Sequence, residues 1–153
     1  MKPTPQGWPR MSSSVHYQDG RAAIDWLCRA FGFEVRLKVE GADGLIEHSE
    51  LVYGEGVIMV SDVARTAAQS GWRRSLASPK SVGRANTQTI MVYVDDVDAH
   101  CARARAAGAS IYEEPALHDY GREYWADKSY GATDPEGHHW WFTERVRDPK
   151  QHD

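Results

Sequence analysis

The sequence predicts an α+β fold built from two βαβββ modules, and three observations support this class. An aspartate is followed thirteen residues later by a glycine twice in the chain, from Asp19 to Gly32 and from Asp95 to Gly108, and an amphipathic segment fills each interval. One strand-like run precedes each amphipathic segment, and three strand-like runs follow it. A hairpin turn comes before the last strand of each half, "YGEG" in the first and "DPEG" in the second.

The two amphipathic segments are predicted to be helices over residues 19–31 and 96–107. An aspartate side chain can accept hydrogen bonds from the first free N–H groups of a helix. A glycine just beyond the last apolar position can adopt the left-handed conformation that ends a helix. The repeat extends to individual side chains, since Ala23 of the first segment corresponds to Ala99 of the second. The sequence therefore contains the same helix signal twice.

The remaining apolar runs supply the strands. The first half contains "SSVHY", "FEVRLKV", "LIEHSELVYG" and "GVIMVSD". The second half contains "TIMVYV", "ASIYEE", a run within "REYWADKSYGAT", and "HHWWFTE". The predicted organisation is a flexible N-terminal tail, a first module, a basic and polar linker, a second module and a C-terminal tail, over residues 1–10, 11–62, 63–86, 87–146 and 147–153.

Composition narrows the class of protein. A chain of 153 residues can bury a sizeable core, and a formal charge of −4 gives no general attraction to nucleic acid or to an anionic membrane. No apolar run approaches the roughly 20 residues that span a bilayer, and the start of the chain lacks the apolar segment of a secretory signal. The only two cysteines, Cys28 and Cys101, lie far apart in helical segments, as reduced thiols would. These features fit a cytoplasmic protein.

The two modules also predict where a ligand would bind. Each module has one helix, and that helix covers only one face of its sheet. Two such sheets lying side by side and curving would form a concave trough from their helix-free faces. A trough between two half-domains is a natural site for a small molecule.

Three segments resemble the vicinal oxygen chelate superfamily, the group of glyoxalases, bleomycin resistance proteins and extradiol dioxygenases. They are "AAIDWLCRAFGFE", "VYVDDVDAHCARARAAGA" and "DPEGHHWWF", in the expected order and spacing. The resemblance covers roughly Met11 to Arg145 and is nearest to the glyoxalase-like or bleomycin-resistance-like branch. It implies a cupped eight-stranded mixed sheet with helices on the convex face and, usually, a homodimer.

The resemblance also indicates where a metal would be held. Enzymes of this superfamily bind a divalent metal through one side chain on the first and last strand of each module. In this sequence those four positions correspond to Ser12, to Met59 or its neighbour Val60, to Thr89 and to Trp141. Serine and threonine are weak ligands for a divalent metal, and the other side chains do not bind one. We therefore expect no catalytic metal and no cofactor. A register slip of one or two residues would recruit His16 or His139.

The stretch "HHWWFTE" contains two histidines and two tryptophans whose side chains alternate between the faces of a strand. Phe142 suits packing beneath a helix, and Trp140 lies on the same side. His139 and Trp141 then face the trough, where Trp141 offers a flat apolar surface to a planar or glycan-bearing ligand. Adjacent histidines point apart and cannot easily bind one metal together, so His138 is expected to be a partly buried turn residue.

A second cluster lies on "IEHSEL", where His48 and Glu50 share a face of one strand. The two side chains could form a general base pair or supply metal ligands. The alternative is a polar pair that faces solvent or the helix at a sheet edge. The aromatic segment Tyr120–Trp125 needs a ligand or a partner chain to cover it. The basic "GWRRS" segment is either a solvated loop or a lid over an anionic ligand.

Two functions from different classes remain open at this point. The favoured one is a metal-free protein that binds a small apolar or aromatic molecule in the trough. Its candidate contacts are Met59, Thr89, Met91, Tyr93, Trp125, His139 and Trp141. The alternative is a metal-dependent lyase or isomerase of the glyoxalase type, with His48, Glu50 and His139 as candidate catalytic residues. A third possibility is a dimer whose trough has lost its role. The expected partners are a small-molecule ligand and a second copy of the chain, with neither nucleic acid nor membrane.

Overall fold

Each half of the chain folds as a βαβββ module in the computed structural model, which describes residues 1–64 and 71–150. The chain divides into two units, Met1–Ala85 and Asn86–Asp153, and each unit contains one module. The predicted α+β class with two βαβββ modules is confirmed. Residues 65–70 of the predicted linker and 151–153 of the predicted C-terminal tail lie outside the described residues.

The first module contains one helix and four strands. They are β1 (Ser13–Tyr17), α1 (Gly20–Phe31), β2 (Glu34–Glu40), β3 (Ile46–Tyr53) and β4 (Gly56–Asp62). The strand order is β1-β4-β3-β2, with β1 parallel to β4 and the other neighbours antiparallel. The helix packs on this sheet through buried apolar side chains, among them Ile24, Leu27 and Phe31. Their spacing of three and four residues puts them on one side of the helix.

The second module repeats this topology. It consists of β5 (Thr89–Tyr93), α2 (Val97–Ala106), β6 (Ser110–Asp119), β7 (Ala126–Thr133) and β8 (His139–Arg147). The strand order is β5-β8-β7-β6, and β5 and β8 are parallel. Trp140 and Phe142 are fully buried, and the ring of His100 on α2 lies 4.3 Å from that of Phe142. The prediction that Trp140 and Phe142 pack beneath the helix is confirmed.

The helices begin and end close to the predicted residues. The side chain of Asp19 accepts a hydrogen bond from the N–H of Ala22, at 2.9 Å. Gly32 ends the first helix with a φ of 80°, a conformation that glycine adopts without strain. In the second module the capping residue is Asp96, whose side chain accepts from the N–H of Ala99. The sequence repeat began one residue earlier, at Asp95, so the second cap lies one position further along the chain.

Strand β6 is longer than the predicted run "ASIYEE". It extends over ten residues, Ser110–Asp119, and includes Pro115. Proline cannot donate a hydrogen bond to a neighbouring strand, and it is tolerated at sheet edges and at bulges. Strand β6 is an edge strand, and its pairing with β7 shifts register between Glu113 and Ala116. The proline therefore interrupts the pairing locally and does not end the strand.

Along the chain between β4 and β5, Gly71–Ser75 and Pro79–Val82 form short 3-10 helices. None of the helices in the described parts of the chain has the length and apolar character needed to cross a membrane.

Candidate functional site

A cavity of about 330 Å³ opens on the helix-free face of the second module. Residues of β5, β7 and β8 reach it because alternate side chains of a strand point to the same face. Its apolar and aromatic lining consists of Met91, Tyr93, Tyr120, Trp125 and Trp141. Its polar lining consists of His118, Asp127, Ser129, Thr143 and Arg145. All ten side chains belong to the second module, and we call this site the β8 pocket.

The aromatic side of the β8 pocket is built around Trp141. The ring of His118 on β6 lies 6.3 Å from the Trp141 ring, and the ring of Tyr112 lies 6.4 Å from it in a stacked arrangement. The Tyr112 hydroxyl donates a hydrogen bond to the carbonyl of Trp140. Gly131 makes this close approach possible, since a Cβ there would lie 2.2 Å from the Tyr112 ring. Trp141 is therefore held between neighbouring rings as a flat surface.

A second aromatic group stands at the other side of the β8 pocket. The rings of Tyr120 and Trp125 are 5.0 Å apart. The guanidinium of Arg145 lies 5.7 Å from the centre of the Tyr93 ring and 5.9 Å from that of Trp125, within the range of cation–π attraction. The pocket therefore has aromatic rings on two sides, and the guanidinium of Arg145 lies against the rings of Tyr93 and Trp125.

The charge of Arg145 is balanced within the module. Its Nε donates to the carboxylate of Asp127 at 2.6 Å, and another nitrogen donates to the Tyr93 hydroxyl at 2.9 Å. The hydrogen bond with Asp127 is the main reason that the pKa of Arg145 is raised above its ordinary value. Asp127 and Arg145 are direct cross-strand partners on β7 and β8. This pair fixes one end of the β8 pocket without giving it an excess of positive charge.

The floor of the β8 pocket carries two hydroxyl groups. Ser129 on β7 and Thr143 on β8 are register partners, and their side-chain oxygens are 3.0 Å apart. Both residues are buried. The floor is therefore polar although the sides of the pocket are aromatic.

The structure brings together four of the seven predicted ligand contacts in the β8 pocket, and the other three are not part of its lining. Met91, Tyr93, Trp125 and Trp141 all line the β8 pocket. Thr89 and His139 pair with each other at the beginning of β5 and β8 and do not line it. Met59 lies on β4 of the first module.

His139 faces the same side of β8 as Trp141 but has a different neighbour. Its ring stacks on that of Tyr112 at 4.9 Å. Its backbone N–H donates to the side-chain oxygen of Asn86. His138 precedes the strand and is half-buried in the turn, where its N–H donates to Asp134. Both histidines therefore have structural contacts in the second module.

Several residues of the β8 pocket were not among the predicted contacts. Thr143 and Arg145 follow Trp141 at intervals of two, so strand alternation alone could have identified them. Ser129 required the register between β7 and β8, which the sequence does not reveal. His118 required the full length of β6, which Pro115 obscured.

The candidate pair His48 and Glu50 is formed in the first module. The two side chains are hydrogen-bonded at 3.1 Å, and Arg36 donates to the same carboxylate at 2.7 Å. The hydrogen bond from His48 is the largest cause that holds the pKa of Glu50 below its ordinary value. Arg36 in turn stacks on the ring of Trp8 and donates to the carbonyl of Gly7. Glu50 is therefore occupied by two partners, as a structural ion pair would be.

The four positions at which the family resemblance predicts metal ligands do not fit a divalent metal. Ser12 precedes β1, Met59 pairs with Ser14, Thr89 pairs with His139, and Trp141 pairs with Met91. The four positions themselves offer two hydroxyls, a thioether and an indole, none of which is a strong ligand for such a metal. Within residues 1–64 and 71–150, no group of three or more His, Cys, Asp or Glu side chains is placed to hold a metal ion.

Of the two histidines that a register slip would recruit, only His16 lies in the first module. Its Nδ1 is hydrogen-bonded to the hydroxyl of Ser61 at 3.0 Å. The other, His139, stacks on Tyr112 in the second module.

Comparison with known proteins gives one consistent family. The family model described as Glyoxalase/Bleomycin resistance protein/Dioxygenase superfamily matches residues 14–142. The chain is 33% identical to an uncharacterized protein of Mycobacterium tuberculosis (strain ATCC 25618 / H37Rv) over 140 residues. The matched region covers 92% of this chain and 76% of the relative.

Two solved structures have a similar fold. TioX from Micromonospora sp. ML1 is 32% identical, with a TM-score of 0.67, over 90% of this chain and 99% of TioX. A glyoxalase/bleomycin resistance protein/dioxygenase family enzyme from Burkholderia phytofirmans PsJN has the same TM-score, 0.67, at 17% identity. The match covers 88% of this chain and 97% of the Burkholderia chain, and at this identity it supports the fold alone.

Proposed function

The chain belongs to the Glyoxalase/Bleomycin resistance protein/Dioxygenase superfamily, and from this premise we propose that it binds a small apolar or aromatic molecule in the β8 pocket without a catalytic metal. One observation carries the proposal. Trp141, at a position where the superfamily's enzymes are expected to hold a metal, lines a cavity that also contains Trp125, Tyr93 and Tyr120. An indole at this position removes a ligand and adds a surface on which a planar ring can stack.

The size and composition of the β8 pocket agree with this proposal. Its volume of about 330 Å³ lies at the lower end of the range for small-molecule sites, which favours a ligand of one or two fused rings. Aromatic side chains dominate its sides, while its charged pair, Asp127 and Arg145, is internally neutralised. A compact planar molecule of low charge suits such a site best.

The test uses naphthalene as a probe, because it is planar and carries no polar group. Trp141→Ala should weaken naphthalene binding by about 1–3 kcal/mol, since a stacking surface is removed. His139→Ala should cost much less, because His139 does not line the pocket. Trp72→Ala is the matched control, since Trp72 is 67% exposed and lies outside the pocket lining. Isothermal titration calorimetry measures the four affinities.

Metal analysis separates this proposal from the enzyme alternative. The untagged protein should contain no stoichiometric divalent metal. About one equivalent of Zn, Ni, Fe or Mn per chain, lost on His139→Ala, would overturn metal-free binding. It would favour instead a glyoxalase-type lyase or isomerase in which His139 is a ligand.

The proposal includes a second copy of the chain as a partner. Tyr120 and Tyr124 are 54% and 58% exposed in the segment between β6 and β7, beside the ring of Trp125. Aromatic surface of this kind is commonly covered by another protein chain. A homodimer that covers this segment is the simplest assembly for a chain of this family.

A further inference from the structure

The two hydroxyl groups on the floor of the β8 pocket carry two hydrogens, and the hydrogen bond between them uses only one. Ser129 and Thr143 are each 2% exposed, and their oxygens are 3.0 Å apart. Each hydroxyl carries one hydrogen and can accept at two lone pairs. When one hydroxyl donates to the other, the hydrogen of the accepting hydroxyl remains without an acceptor.

In the described part of the chain, no protein group accepts a hydrogen bond from this second hydroxyl hydrogen. Neither hydroxyl makes another hydrogen bond there, although Asp127 and Arg145 lie on the same face. Asp127 is engaged by Arg145, and a guanidinium can only donate. A ligand that displaces water from the floor and supplies no acceptor leaves this buried hydroxyl hydrogen unpaired, which costs free energy, whereas a ligand that supplies an acceptor avoids that cost.

We propose that the Ser129–Thr143 pair selects planar ligands that carry a hydrogen-bond acceptor, such as a ring carbonyl or an unprotonated ring nitrogen. This inference rests on the proposed function, because it assigns the ligand class of the same pocket. The aromatic sides hold any planar ring, and the floor distinguishes among rings by the atom that they present to it. A ring whose only polar group is an N–H donor leaves the hydroxyl hydrogen unpaired. A hydrocarbon ring does the same.

Three bicyclic probes of similar size separate these cases. Coumarin presents a carbonyl acceptor, indole presents an N–H donor, and naphthalene presents neither. The variant Ser129→Ala/Thr143→Val removes both hydroxyls and keeps nearly the same volume, so the fold should change little in stability. The double variant is required because a single substitution leaves the remaining hydroxyl free to donate to the ligand.

The double variant should bind coumarin about tenfold more weakly than the unmodified protein does, which corresponds to the loss of one hydrogen bond. Its affinity for naphthalene should stay the same or rise slightly, and its affinity for indole should fall less than its affinity for coumarin, because the two hydroxyls of the unmodified protein also have lone pairs that can accept from the indole N–H. Tyr130→Phe is the matched control. It removes the hydroxyl of the next residue on β7, which is hydrogen-bonded to His100 on the helix side of the sheet. All three affinities should survive this change.

The outcomes distinguish this inference from the proposed function. If the double variant weakens coumarin and naphthalene equally, the floor does not select acceptors, and the inference is overturned while aromatic binding stands. The same conclusion follows if Tyr130→Phe reproduces the loss for coumarin. If the unmodified protein binds none of the three probes, the proposed function fails and the inference falls with it.

Discussion

The carboxylate of Asp134 organises the residues that place Trp141 in the pocket. One of its oxygens accepts hydrogen bonds from the backbone N–H groups of Glu136, Gly137 and His138, at 2.9–3.0 Å. The other accepts from the indole N–H of the buried Trp140, at 3.1 Å. Trp140 is thereby held on the helix side of β8, and the next residue must point to the opposite face.

Replacing Asp134 with alanine should destabilise the second module. The substitution removes the carboxylate that accepts hydrogen bonds from three backbone N–H groups and from a buried indole N–H, and we expect a loss of about 2–4 kcal/mol. Chemical denaturation gives the change in the free energy of unfolding. Asp134→Asn retains one acceptor oxygen and should cost less than Asp134→Ala. Equal stabilities of the alanine variant and the unmodified protein would show that the turn does not depend on this carboxylate.

The face to which a single side chain points was predictable where the two-residue alternation of a strand determines it. Alternation along β8 placed Trp140 beneath the helix and Trp141 on the other face, as the structure confirms. The role of Asp134 was not predictable, because four donors converge on it only after the turn has formed. Ser129 likewise becomes part of the pocket only through pairing with Thr143 on a neighbouring strand.

Each helix is tied to the last strand of its own module by a carboxylate. Asp62 at the end of β4 accepts a hydrogen bond from the backbone N–H of Gly20, at 2.8 Å. Glu144 on β8 accepts one from the N–H of Val97, at 3.0 Å. In both modules the donor is the first residue of the helix, whose N–H has no partner within the helix. A carboxylate near a helix N-terminus is also favoured by the helix dipole.

The two capping aspartates should contribute similar stabilities. Asp19→Ala and Asp96→Ala should each cost about 1 kcal/mol, because each removes one hydrogen bond to a free helical N–H group. Asp95→Ala is the matched control, since Asp95 is exposed and precedes the cap, and it should change stability by less than about 0.5 kcal/mol. Urea denaturation measures the three variants. A larger loss for Asp95→Ala than for Asp96→Ala would assign the cap to the other aspartate.

Most helices and strands were predictable from the sequence, and those that differ from the prediction do so for physical reasons. Both helices follow the predicted bounds because capping and glycine signals are local in sequence. Strand β6 extends beyond the prediction because Pro115 lies at a sheet edge, and edge position is a property of the whole sheet. The carboxylate ties of Asp62 and Glu144 depend on contacts over more than 40 residues and leave no local pattern.

At the scale of the whole molecule, two modules of one topology carry different side chains. The first module has a hydrogen-bonded polar group formed by Arg36, His48 and Glu50. The second has the aromatic β8 pocket. The internal repeat predicted the shared topology, because the same pattern of caps and strands determines it twice. The difference between the two modules lies in side chains that leave the fold unchanged.

Sedimentation should show a homodimer at micromolar concentrations. The expected interface includes the exposed aromatic residues between β6 and β7, so Tyr120→Glu/Tyr124→Glu should shift the equilibrium toward monomer. The control is Arg84→Glu/Arg103→Glu, which places the same side chains at two exposed positions on other segments. It should leave the dimer intact. A protein that sediments only as a monomer would contradict this assembly.

Binding of a planar molecule in the β8 pocket should need no metal. The most direct measurement is a calorimetric titration of naphthalene into protein that a chelator has stripped of divalent metals, with and without added Zn²⁺. Saturable binding with the same affinity is expected in both samples, and Trp141→Ala should weaken it by about 1–3 kcal/mol. Binding that appears only when Zn²⁺ is restored, or that Trp141→Ala leaves unchanged, would contradict it.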